Sequence, residues 1–97
     1  MQAFIVQTGK PVGYQQLVVS NSAVGLTIPL NANRALIVVE DAAVRFRDDG
    51  TVPTATVGVQ IFQNQSFEIT DADSLKAIKF IRKTGTSAEL NISYYQR

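Results

Sequence analysis

The sequence has neither histidine nor cysteine among its 97 residues. Zinc, copper and iron thereby lose their usual ligands. Ser-His and Cys-His nucleophile pairs are excluded, and no disulfide can form within the chain or between copies. Charge of one sign is not in excess: nine Lys and Arg stand against eight Asp and Glu, for a net charge of +1. The balance gives no bulk attraction to nucleic acid or to an anionic membrane. No apolar run approaches the roughly 18 residues that a membrane span needs. The opening "MQAFIVQTGK" has neither the basic leader nor the apolar stretch of a signal peptide, so the protein is expected to be made and kept inside a cell, or released without that route.

What is present is a strand-and-turn grammar. Short apolar runs are split by Gly, Pro, Asn, Asp and Ser. The length suits one domain, residues 1–97, that hides roughly 60–70% of its unfolded surface. Residues 3–8 predict a first strand, ended by "TGKPVG" because Pro11 has no amide proton for a ladder. Residues 1–13 are therefore either a first strand or an arm. Further strands are predicted at 14–20, 23–28, 34–40 and 42–47. In the last of these Ala42, Val44 and Phe46 face one way, and Arg45 and Arg47 the other. Asp48–Thr51 form a turn, since Asp-Gly tolerates positive φ. A loop at 51–55 follows, with an extended piece at 56–61. Residues 66–70 predict a strand with Phe67 and Ile69 inward, and "DADS" a turn or brief helical cap. Residues 75–83 fit neither period cleanly, but their length and Ile/Phe content favour a strand. The last strand alternates Leu90, Ile92 and Tyr94 against Asn91, Ser93 and Tyr95. The pattern predicts an all-β, single-domain β-sandwich of about eight short antiparallel strands, jelly-roll-like.

The densest charge lies in "VRFRDDG" (Val44–Gly50). Arg45, Arg47, Asp48 and Asp49 read either as a solvated hairpin tip or as a protein-contact patch, since Arg forks match carboxylates. Two adjacent Asp on an extended chain point apart and cannot jointly hold a water. "DADS" lacks the glycine and closing Glu of a calcium loop. Lys76, Lys79, Arg82 and Lys83 are split between two strand faces, which suits edge protection better than a nucleic-acid groove. The amides Gln15, Gln16, Gln60, Gln63, Asn64 and Gln65 suit wet protein contacts or mere loop decoration. No catalytic, cofactor-binding or metal-ligating residue is expected.

The stretch "RALIVVEDAAVRFRDDGTVPTATVG", the later "LKAIKFI" and the terminal "LNISYY" resemble a recurring pattern in small structural proteins of tailed bacteriophages. "GYQQLVVSNSAVGLTIP" upstream fits it too, so the resemblance covers most of the chain. It implies a virion component, assembled in the host cytoplasm: a small β-sandwich that decorates or cements the capsid. Its expected partners are the major capsid protein or another virion protein, and further copies of itself, with no nucleic acid and no membrane. Such a protein is not an enzyme and needs no cofactor, so it loses nothing by lacking His and Cys. The alternatives are a tail or portal adaptor, or a host-glycan-binding module. Tyr14, Phe62, Tyr94 and Tyr95 would be the stacking side chains of such a module, although no Trp is available. The resemblance carries no contact role onto a numbered residue.

Overall fold

The structure, a computed structural model, describes residues 9–97. The strand expected at residues 3–8, and most of a possible arm, lie outside them. Two four-stranded antiparallel sheets pack face to face. The first holds β1 (Lys10–Val19), β8 (Ala88–Gln96), β3 (Arg34–Glu40) and β6 (Ser66–Ile69), in that order. The second holds β2 (Val24–Gly25), β7 (Lys79–Arg82), β4 (Val44–Arg47) and β5 (Val59–Ile61). The pairing is nested: β1 with β8, β2 with β7, β3 with β6, β4 with β5. The all-β sandwich expected from the pattern is the observed architecture.

Alternation explains the first sheet. In β3 the residues Ala35, Ile37 and Val39 are fully buried, while Arg34, Leu36, Val38 and Glu40 face outward. β8 repeats the scheme with Leu90, Ile92 and Tyr94 inside. A period of two puts one set on one face and favours a single register. The second sheet contributes Val44 and Phe80, both fully buried. Phe67 reaches across from β6 and stacks on Phe46 at 5.6 Å between centroids, with Phe80 tilted against both. Such aromatic pairs add about 0.5–1.5 kcal/mol beyond their buried area, and these fasten one sheet to the other.

Three expectations are corrected. Pro11 does not end a strand; it lies inside β1, opposite Tyr95, beside an irregularity between Pro11 and Gly13. Among the described residues β1 is an edge strand, where a missing N–H need not break a ladder. Residues 75–83 are not one strand. Asp71 caps a short helix α1 (Ala72–Ala77) by accepting from the Ser74 amide at 3.0 Å. Leu75 and Ile78, three residues apart, are both buried, and β7 follows. The aperiodic apolar run was a helix joined to a strand, so neither period could fit the whole. Lastly, Lys76 lies on α1 and β7 is interior, between β2 and β4, so Lys79 and Arg82 do not guard an edge.

Candidate functional site

The charged stretch occupies the end of β4 and the start of the 48–58 connection to β5. β4 pairs with β5 through Val44–Ile61, Arg45–Gln60 and Phe46–Val59, so the stretch belongs to a hairpin, with a long loop in place of a tight tip. Gly50 sits there at φ +87, as its Asp-Gly context required.

The structure separates the two arginines. Arg45 turns along its own loop. Its Nε donates to the Ala55 carbonyl and one terminal nitrogen donates to the Gly58 carbonyl, both at 2.9 Å. Arg47 instead grips Asp49 with both limbs of its fork, at 3.1 and 2.5 Å. That is the one ion pair among the described residues. The mutual hydrogen bond holds the Arg47 guanidinium above, and the Asp49 carboxyl below, their ordinary pKa values. The Thr51 amide also donates to Asp49 at 3.2 Å, an Asx turn that supports the low carboxyl pKa. Asp48 is exposed and contributes to two hollows, one on each side of it.

Further along, the loop is stiff. Thr54 and Val57 exchange backbone hydrogen bonds at 2.9 and 3.2 Å. The Thr54 hydroxyl accepts from the amides of Thr56 and Val57. Pro53 is fully buried. Gly58, at φ +142, lies so close beneath that a Cβ would meet the Phe46 carbonyl oxygen at 3.0 Å and Pro53 at 3.3 Å. The loop thus closes over a buried proline and is held from below by Arg45. It exposes apolar side chains: Val52, Val57 and Val59 are each at least half exposed. Beside them is a shallow hollow of about 200 Å³ lined by Arg47, Asp48, Asp49, Val57, Gly58 and Val59. A second groove, of about 230 Å³, runs between β4, β6 and α1 over the Phe46–Phe67 stack, with Asp48, Glu68 and Asp71 on its rim.

This constellation has no nucleophile–base pair. No group of three or more Asp and Glu among the described residues could hold a metal ion. No helix among them is long and apolar enough to cross a membrane. What the loop can do is present a preformed apolar and polar surface to another macromolecule.

The stacking candidates fare unequally. Tyr94 is 1% exposed, so it is no platform. Its hydroxyl donates to Gln15 Oε1 at 2.6 Å, and burial pushes its pKa up to about 12. Tyr14 and Phe62 are exposed and Tyr95 is half-buried. The residues that sequence reasoning missed are Ala55, Gly58 and Thr54, which bind through backbone atoms or local turns and leave no spacing signal. Comparison of the chain with protein-family models, with curated proteins and with solved structures finds no match.

Proposed function

We propose that the chain is a bacteriophage virion structural protein, a decoration or cement protein that stabilises the head through protein–protein contacts. The observation that carries this is the 48–58 loop, a braced segment that displays Val52 and Val57, next to Val59 at the start of β5, beside Arg47, Asp48 and Asp49. A loop already ordered before contact loses little conformational freedom on docking, which favours affinity. The sequence resemblance to small phage structural proteins supports the same job. So does the nested strand order, which we take to be that of a jelly roll, two interlocked Greek keys. A rigid shell of this kind is suited to display a loop and to be copied many times over a symmetric lattice. There, weak contacts gain from effective concentration. The glycan-binding alternative loses Tyr94, which is buried.

The test is co-sedimentation of purified protein with heads that lack it. Binding is expected, together with shell disruption at a higher temperature, and Val52→Asp with Val57→Asp is expected to abolish both while leaving the fold intact. Protein that stays wholly in the supernatant overturns the proposal. Immunogold labelling of whole particles distinguishes head from tail.

A further inference from the structure

The outward face of the first sheet has a charge order that is complementary to itself, and we propose that two copies of this chain dimerise through it. No element among the described residues covers this face. Along β3 its outward side chains run Arg34, Leu36, Val38, Glu40: positive, apolar, apolar, negative. Across the sheet, register places Tyr95 beside Arg34, Ser93 beside Leu36, Asn91 beside Val38 and Glu89 beside Glu40. β1 adds Tyr14 beside Ser93, Gln16 beside Asn91 and Val18 beside Glu89, and β6 adds Glu68 beside Leu36 and Ser66 beside Val38. Tyr14 and Val18 are more than half exposed. The Tyr14 hydroxyl and the Gln16 amide both donate to Asn91 Oδ1, which orders the middle of the face.

Ile37, Ile92 and Gln15 lie on one line across the strands. A half turn of a second copy about an axis parallel to that line, about 5 Å outside the sheet, lays the two faces together with strands reversed. Leu36 then lies over the other copy's Val38, Ser93 over its Asn91, Tyr14 over its Gln16, and Glu68 over its Ser66. Arg34 comes over its Glu40, twice by symmetry. This is an isologous contact, in which each residue meets its counterpart's partner. It also answers a local misfit: Glu40 and Glu89 are direct cross-strand neighbours of like charge, an unfavourable pair in the single copy. The usual offset of packed sheets does not spoil the match. An angle of roughly 30° moves a residue about 10 Å from the axis sideways by about 5 Å, one strand spacing. With the offset toward β8, Arg34 lies over the other copy's Glu89, which is acidic as Glu40 is.

The second sheet has no such order. Its outward face carries Arg45 and Arg47 on β4 and Lys79 on β7, with Arg47 directly opposite Lys79, and its strands hold no carboxylate to meet them from a second copy. The first sheet's face covers roughly 400 Å² in projection. Two such faces bury about 800 Å² in all, short of the roughly 1,000 Å² of a stable interface, so the dimer is a weak, transient one. The dimer does not depend on the head-decoration proposal. The two proposals fail separately, because one is read by self-association and the other by binding to shells.

The experiment is sedimentation equilibrium of the full chain from about 1 µM to about 1 mM, with circular dichroism as the check on folding. The native chain is expected to dimerise. Arg34→Glu and Glu40→Arg, each alone, should weaken its homodimer at least about tenfold, since each turns two attractive contacts into repulsive ones. An equimolar mixture of the two variants should form a heterodimer. There the introduced glutamate of one chain faces the introduced arginine of the other, and the first chain's unchanged Glu40 faces the second chain's unchanged Arg34. The double exchange in one chain should restore the homodimer. A chain that is monomeric throughout overturns the proposal, and so does a dimer that both single variants leave unchanged.

Discussion

Replacing Arg45 by alanine should loosen the 48–58 loop and little else. Arg45 donates to two loop carbonyls, of Ala55 and Gly58, at 2.9 Å each. Hydrogen bonds from a charged donor contribute about 1.5–3 kcal/mol each. Arg45 is half-buried, so water competes and the lower end applies; the two together contribute about 2–3 kcal/mol to keeping the loop closed. At about 1.4 kcal/mol per decade, loop opening becomes roughly 30- to 150-fold more frequent. Thr54 and Val57 report it, because their amides are bonded across the loop. Native-state hydrogen exchange should show their protection falling by that factor, while the amides of Ile37 and Leu90 in the central strands of the first sheet keep theirs. Arg45→Lys should fall between, since one ammonium replaces a fork that spans two carbonyls. Arg47→Ala should leave Thr54 and Val57 unchanged, its partner being the exposed Asp49. If Arg45→Ala leaves the exchange of Thr54 and Val57 as it was, the bracing argument is wrong. If every amide accelerates equally, the loop is no separate unit.

Other outcomes follow from single side chains. Tyr94 ionises near 10 when unfolded and at about 12 when folded. Its contribution is complete below pH 10 and is lost as pH rises to 12, a fall of about 2–3 kcal/mol that Tyr94→Phe should remove from denaturant titrations run across that range. Gly50→Val should lower stability by about 1–2 kcal/mol. A Cβ there meets nothing within 4 Å, so the cost comes from φ +87 alone, and Gly50→Asn should recover part of it in thermal melts. Asp41 has φ +75 with the Ala42 amide bonded to the Glu40 carbonyl, a γ-turn of the strained hand. Asp41→Gly should therefore raise stability by about 1 kcal/mol, and an unchanged or lower melting temperature would contradict that strain.

β3 and β8 were legible in the sequence because burial on one face only imposes a strict alternation, and no Gly or Pro interrupts it. The hairpin at 44–61 was legible for the same reason, with Asp-Gly to mark its bend. Three features were not. Pro11 looks like a strand breaker until β1 is known to be an edge. The helix at Ala72–Ala77 is under two turns, too short to display its period, and it runs straight into β7. The brace in the candidate site joins Arg45 to carbonyls ten and thirteen residues onward. Every residue offers a carbonyl, so no residue type gives that partner away. The sequence could pair Arg45 with Arg47 as neighbours on one face; it could not show that one serves the loop and the other Asp49.

The nested pairing sets the order in which the molecule can be completed at the ribosome. Of the described strands β8 is synthesised last, yet it lies between β1 and β3 and supplies a partner for both. Until Ala88–Gln96 leave the exit tunnel, β1 has no neighbour among the described residues and β3 has only β6. The nascent chain must therefore wait with the edges that β8 will fill in the open, where other chains can add to them. A stop codon before β8 would remove the element that joins the whole first sheet, not a trimming at its margin.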